Sequence, residues 1–487
     1  MKRIYDFAGT FLLCILVSVQ GLQAQTGKAD VTALKKRALT ELDKGKDGYQ
    51  KIAMQIWDYA EVGYKEYKST ALLQKELQRN GFKIDTGVAE IPTAFVATYG
   101  QGKPVIGILA EFDALPGLAQ DTVPDKKVLA GRPAGHGCGH HLLGTAGVEA
   151  AIQLKKMLEQ QELSGTVKVY GTPAEEGGSG KVYMVRAGLF KGVDVVLHWH
   201  PGSDNSVMGA SSLANISAKF RFYGLSAHAA GAPDKGRSAL DAVEAMDYMV
   251  NMMREHVPSD TRIHYVITDG GKAPNVVPDF AESYYYVRNP ANENVQQIFD
   301  RITKAGDGAA LGTGTKMQYE ITGGTYGLLI NKTLAEAMQK NLEMAGGVEY
   351  NAKEIQFAQK LQTSFAYAVP SVESVKTVSP LDATHGINGS TDVGDVSWNV
   401  PTVGMSAATW VAGTPAHSWQ AVAGGGTSIG IKGMQVAAKC LTLTAIDLFT
   451  DGALRDKALE EFNRSRGTKF EYKALLGDRK PALHYRD

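Results

Sequence analysis

The chain has 487 residues with a formal net charge of zero, 44% hydrophobic and 21% charged residues, 8% aromatics and 54 glycines. That length supports two domains that each bury a core. Balanced charge excludes the footprint of a nucleic-acid or polybasic membrane-binding protein, and the ordinary composition excludes long disorder, collagen-like repeats and coiled-coil arrays.

The chain opens with Lys2 and Arg3, an apolar run over residues 7–19 and small residues up to Ala24. A basic start, a short apolar stretch and a small residue at the cut form a secretory signal peptide. The run is shorter than the roughly 20 residues that span a bilayer. A signal at 1–24 therefore predicts export to a periplasmic or extracellular space. No later segment reads as a span, so the processed chain is expected free of the membrane. Of three cysteines, Cys14 leaves with the signal. Cys138 and Cys440 could pair in an oxidising compartment. Cys138, however, sits among histidines and reads as a metal ligand, whereas Cys440 lies in an apolar helical stretch (431–449) and reads as a core thiol.

Residues 30–80 carry helical spacing, with Ile52, Ile56 and Tyr59 and then Leu72, Leu73 and Leu77. Strand-like runs follow at 94–99 and 105–109. A loop rich in Gly, His and Cys (131–141) leads into an apolar helix at 142–158. A strand at 166–170 ends in Pro-Ala-Glu-Glu-Gly-Gly, and one at 193–198 ends in Trp-His-Pro-Gly. This alternation predicts an α/β fold with a mainly parallel sheet. From 213 the order becomes strand (213–223), helix (237–254), strands (262–268, 280–287), helix (294–305) and strand (316–321). That is the split βαβ plan of a ferredoxin-like α+β domain. Helices and a strand at 402–407 follow. The expected layout is a catalytic domain in two parts, 25–210 and 325–487, with an inserted lid at 211–324.

Eight of the eleven histidines, His136, His140, His141, His198, His200, His228, His385 and His417, fall in Gly- or Pro-marked loops or at strand ends. In Gly135–His141 (GHGCGHH) the C-x-H spacing of Cys138 and His140 suits zinc, with cobalt or manganese as options. The Cys-x-x-Cys pairs of a structural zinc knuckle are missing, which favours an open catalytic site. Glu175 and Glu176 follow a strand, at the end of an α/β sheet where ligands bind. Alone, such a pair is a solvated face. Beside a metal, one carboxylate ligates and the other takes a proton from water. Alternation puts His198 and His200 on one face, and His200, next to Pro201 at the strand mouth, is the preferred ligand with His198 as the fallback. His417, in Gly-Thr-Pro-Ala-His-Ser-Trp, is by itself more often structural. The chain lacks G-x-S-x-G, H-E-x-x-H and an intact Walker loop, and Gly-Gly-Ser-Gly-Lys at 177–181 fails as a phosphate loop.

The segments AEFDALPG (110–117), GHGCGHHLLGTA (135–146), GTPAEEGGSGK (171–181), WHPG (199–202), GLSAHAAGAP (224–233), GGKAPNVVPD (270–279), GSTDVGDVSW (389–398) and GTPAHSW (413–419) resemble, in order, the metallo-amidohydrolases of the aminoacylase and carboxypeptidase type. The resemblance implies a di-metal catalytic domain with a ferredoxin-like dimerisation lid. It implies two divalent ions (Zn or Mn) bridged by the cysteine, with Cys138, His140, Glu176, His200 and His417 as ligands and Glu175 as general base. It further implies that His228 reaches the partner subunit's site in a homodimer, and that Asn275 and Arg288 hold the substrate carboxylate. His141 stands where relatives commonly carry Asp. The implied reaction is hydrolysis of the amide of a small N-acyl amino acid, foremost aminobenzoyl-glutamate. A broader N-acyl-amino-acid hydrolase or dipeptidase is the alternative, and a catalytically dead peptide-binding homologue is remote because every ligand and the base are present.

Overall fold

The computed structural model describes residues 30–382 and 389–487. The signal peptide and His385 lie outside the described residues.

The larger sheet has seven strands in the order Lys83–Thr86, Phe95–Gly100, Thr166–Gly171, Val105–Ala110, Val195–Gly202, Thr402–Ala408, Ser206–Val207. Its four central strands run parallel, and antiparallel strands close both edges. The central strands are apolar on both faces because both are covered. Along Val105–Ala110, Ile106, Ile108 and Ala110 enter one core, and Leu109 enters the other. The first core holds helices Val31–Tyr59, His140–Glu159, Lys332–Ala345 and Ser428–Thr450. The helical reading of 30–80 resolves into two helices, Val31–Tyr59 and Tyr67–Arg79. Asp30 starts the first by accepting the Thr32 and Ala33 N–H groups, and left-handed Ala60 ends it.

The structure adds one relation between strands and changes one sequence reading. Strands 95–100 and 105–110 adjoin in sequence but do not pair; Thr166–Gly171 lies between them, antiparallel to one and parallel to the other. Helix Ser428–Thr450 is long and apolar enough to cross a membrane by length and composition, contrary to the expectation that no later segment is. Most of it is buried against other helices, and Cys440 sits fully buried within it as a free thiol.

The second sheet has four antiparallel strands in the order Arg262–Asp269, Phe280–Asn289, Ala214–Tyr223, Lys316–Thr325. With helices Ala239–Met253 and Asn292–Thr313 packed into a separate core, this is the ferredoxin-like lid. Its first and last strands pair, bringing Asn215 beside Thr325. Apolar side chains stay exposed on its edge strand and first helix, among them Val266, Ile267, Tyr248 and Met252.

After the final helix, Gly452–Arg466, the chain runs back along both units. The Tyr472 hydroxyl donates to Asp395 at 2.6 Å. Leu475 enters the lid core and Leu476 a core of the body. Arg186 donates to the Arg479 carbonyl, and Lys65 pairs with Asp487 at 2.6 Å.

Candidate active site

The carboxyl ends of the central parallel strands converge on a cavity of about 840 Å³ lined by Cys138, Glu175, His200, Arg288, Asp392 and His417, among others. Open α/β sheets bind ligands in this place.

Backbone turns set the geometry. Gly139 caps helix His140–Glu159 at φ 74°, and a Cβ there would meet the Pro201 ring at 2.8 Å. Glycine thus lets His140 open the helix beside the strand that carries His200. Ala174 and His417 also adopt left-handed backbone, with φ of 55° and 58°. For residues with a Cβ this costs roughly 1–3 kcal/mol each, and such strain collects at functional sites. The Ala174 N–H donates to Glu66 at 2.8 Å, and the Thr93 hydroxyl donates to the other oxygen at 2.9 Å. Burial and the nearby Asp113 raise Glu66 to about 8. The His417 N–H donates to the Gly137 carbonyl at 2.9 Å, tying the late loop to the GHGCGHH loop.

The donor atoms of Cys138, His140 and His200 lie within 4.8 Å of one another, as do those of Cys138, Glu176 and His417. The thiol belongs to both groups. Cys138 Sγ is 3.3 Å from His200 Nε2, and His417 Nε2 is 3.0 Å from Glu176 Oε1. His198 instead lines a separate small cavity with Met208 and Val403, and burial lowers its pKa to about 3.

The groups fit divalent cations. His140 Nε2 and Glu176 Oε1 are buried without a hydrogen bond, although Glu111 lies 3.2 Å from the first and His417 Nε2 3.0 Å from the second. Such orphan atoms are costly unless something satisfies them. Burial, reinforced by Glu176, pushes the Cys138 thiol pKa up, so a cation is needed to hold it as thiolate. Thiolate, imidazole and carboxylate together suit zinc-like ions.

Four further residues organise the site. Asp113, in the AEFDALPG segment, accepts from His140 Nδ1 at 2.9 Å and from the Glu176 backbone N–H at 2.9 Å. It thereby orients one candidate ligand and the turn that bears another. His200 Nδ1 lies 2.7 Å from the Pro201 carbonyl, which leaves Nε2 for the cavity. Glu111 lies 3.2 Å from His140 Nε2, and its other oxygen is 2.7 Å from Lys181 Nζ. Lys181, from the failed phosphate loop, is wholly buried and also pairs with Asp392 at 2.7 Å. The signals were present: Glu111 and Asp113 follow a strand in the usual catalytic place, and Asp392 lies in the recognised GSTDVGDVSW segment.

Burial, then Glu111 and Glu176, hold the Glu175 carboxyl well above the usual range, and its oxygen falls in a third group with Glu111 and His140. A carboxyl raised in this way suits proton transfer near neutral pH. His136 and His141 form a separate buried pair, ring centroids 4.8 Å apart, facing the carbonyls of Ile56 and Gly425.

The structure brings Arg288 to the cavity but not His228 or Asn275. Those two lie together at the exposed end of the lid, where the Ala229 N–H donates to the Asn275 carbonyl at 3.0 Å and His228 bridges Val276.

A parallel-sheet body with paired ligand groups at its mouth and an inserted four-stranded lid defines a two-domain hydrolase of amide bonds. Residues 214–311 match the family model of the peptidase dimerisation domain. The B-type p-aminobenzoyl-glutamate hydrolase polypeptide of Escherichia coli K12 is 41% identical over 455 residues, spanning 88% of this chain and 94% of that protein. The Xaa-Arg dipeptidase of Mus musculus is 29% identical, over 89% and 93% of the two chains. The crystal structure of a Bacillus subtilis dinuclear metal-binding peptidase of the M20 family shares the fold, with a TM-score of 0.55 and 17% identity over 85% of this chain and 99% of that one. The chain belongs to the M20 peptidase family and is a hydrolase acting on amide bonds.

Proposed function

We propose that this protein hydrolyses the amide of an N-acyl amino acid, with aminobenzoyl-glutamate as the foremost substrate, using two divalent ions, Zn or Mn. The observation that carries the reading is the pair of three-residue donor groups sharing Cys138 beside a raised carboxyl, Glu175. Cys138, His140 and His200 would hold one ion, and Cys138, Glu176 and His417 the other. Bound there, the ions supply Lewis acidity and lower the pKa of water toward roughly 7.

The chain's own residues do the rest. Glu175 takes the proton of the attacking water and returns it to the leaving amine. Arg288 holds the substrate carboxylate together with Asn275 of the partner subunit, because Asn275, like His228, lies away from the cavity of its own subunit. His228, remote from the cavity of its own subunit, serves the site of a second copy and stabilises charge on the amide oxygen. The exposed apolar side chains on the lid support a homodimer through that domain. The basic and apolar N-terminus supports export with cleavage near Ala24, which N-terminal sequencing of the processed protein tests.

The deciding experiment is metal content together with hydrolysis of aminobenzoyl-glutamate, N-acetyl amino acids, hippurate and dipeptides, before and after chelation. Two ions per chain and chelator-sensitive release of the amino acid are expected. Equal turnover across the panel favours the broader hydrolase, a reading supported by the similarity to the dipeptidase. Full occupancy without turnover on any member favours the peptide-binding homologue or a substrate outside the panel.

A further inference from the structure

The returning C-terminal segment brings a second guanidinium to the cavity. Arg486 lines its wall with Arg288. Arg486 Nη2 donates to the Glu176 carbonyl at 2.7 Å, and the Tyr485 hydroxyl donates to the same oxygen at 2.9 Å. Tyr485 packs edge-on against Tyr64, ring centroids 5.6 Å apart, and Asp487 pairs with Lys65, so this end of the chain is anchored on both sides of Arg486. The Arg288 guanidinium lies 5.5 Å from the Tyr286 ring centroid, and its Nη1 is 3.4 Å from the Ser390 hydroxyl. The Nε atoms of Arg288 and Arg486 are buried and make no hydrogen bond.

Among the described residues, neither guanidinium has a carboxylate partner. The other cations nearby do. In an adjoining cavity of about 730 Å³, Arg221 pairs with Glu282 and Glu320, Lys219 with Glu282, and Arg479 with Glu320. Lys181 is neutralised by Glu111 and Asp392. Two arginines without an ion-pair partner on the wall of one open cavity are an electrostatic demand for two anionic groups, and a planar fork of donors matches carboxylate best.

We propose that Arg288 and Arg486 form a two-point clamp for a dicarboxylate, so that the enzyme selects N-acyl amino acids whose released residue has an acidic side chain. Arg288 holds one carboxylate and Arg486 the other. The assignment rests on the amidohydrolase reading above. Arg486 is thus a specificity residue, acting on binding, and it disfavours a basic side chain through like-charge repulsion.

The test compares kcat/KM for N-benzoyl-glutamate, N-benzoyl-glutamine, N-benzoyl-lysine and N-succinyl-leucine in the wild type, Arg486→Gln, Arg486→Lys and Tyr485→Phe. Calorimetric binding of free glutamate and glutamine supplies a readout independent of turnover. The wild type is expected to favour the glutamate conjugate over its glutamine isostere at least tenfold, mostly through KM. Arg486→Gln collapses that ratio toward one while still cleaving the glutamine conjugate, and Arg486→Lys restores part of it. Tyr485→Phe, which removes the other donor to the Glu176 carbonyl, leaves the ratio unchanged. Equal loss on both conjugates in Arg486→Gln, or an unchanged ratio, overturns the clamp. An Arg486-dependent preference for N-succinyl-leucine moves the second carboxylate to the acyl side and overturns the acidic-residue assignment. Absence of turnover by the metal-loaded wild type on every substrate refutes the amidohydrolase reading itself.

Discussion

Lys181 Nζ donates to Asp392 Oδ1 at 2.7 Å, joining side chains 211 positions apart, and the Lys181 backbone N–H donates to the other oxygen at 2.9 Å. The same ammonium lies 2.7 Å from Glu111, which in turn faces His140. One buried cation therefore holds two carboxylates at the base of the site.

Lys181→Met leaves Asp392 buried without a counter-charge and Glu111 with only His140 beside it. Breaking a buried ion pair from one side costs about 3–5 kcal/mol. Chemical denaturation should register a loss of that order. A loss below about 1 kcal/mol means that the two carboxylates take up protons or water at little cost.

Glu175→Gln should reduce turnover by about 10²–10⁴ or more, with both ions still bound by elemental analysis. Glu176→Gln should lose metal. The reverse pattern means that the two glutamates exchange roles.

Asp113→Ala removes the acceptor that orients His140 and the turn bearing Glu176. Loss of such an outer partner typically weakens metal binding about 10–100-fold. Competition with a chromophoric chelator measures it, and unchanged affinity would remove Asp113 from the site's architecture.

His228→Ala and Glu175→Gln should each be inactive as homodimers. Mixed dimers should regain activity, because one of the two sites then combines an intact Glu175 with an intact His228 from the other subunit. Co-refolding the two variants and assaying the mixture reads this directly. No recovery, with mixed dimers verified by differential tags, places His228 outside the partner's site.

Burial raises Glu149 to about 8, against the Gln435 side-chain amide that donates to it at 2.7 Å. Between its ordinary value near 4.5 and about 8, the folded protein holds a proton that the unfolded chain has released. Stability from this group is therefore full below that window and is lost as pH rises through it. Glu66, at about 8, and Asp395, raised to about 7 by burial, act in the same direction. Glu149→Gln should flatten, without abolishing, the fall in Tm from pH 5 to 9 at saturating metal.

The periodicities in the chain reached the strands and helices because each is a local pattern: Ile106 and Ile108 against Leu109, or the apolar spacing of helix 239–253. Strand neighbours were out of reach, since the insertion of Thr166–Gly171 between 95–100 and 105–110 is decided by sheet packing. The same division holds in the site. Cys138, His140 and His200 belong to recognisable short motifs, and the start of one helix and the end of one strand carry them together. Lys181 read as a failed phosphate loop because its partners, Glu111 and Asp392, are distant in sequence. Arg486 lies in no motif, and only the course of the returning segment brings it to the cavity. His228 and Asn275 were assigned by resemblance, and a single subunit holds them away from the ligands.

The pairing of Asn215 with Thr325 has a consequence for how the body folds. Strand Thr402–Ala408 must find Val195–Gly202 across the whole intervening lid. Loop closure costs about 0.6 kcal/mol for each doubling of length, and such distant pairings slow folding. A lid that folds first on its own core draws its two ends together and removes most of that length from the loop. The insertion then serves as a staple for the central sheet, and variants that loosen the lid core are expected to slow assembly of a sheet they do not touch.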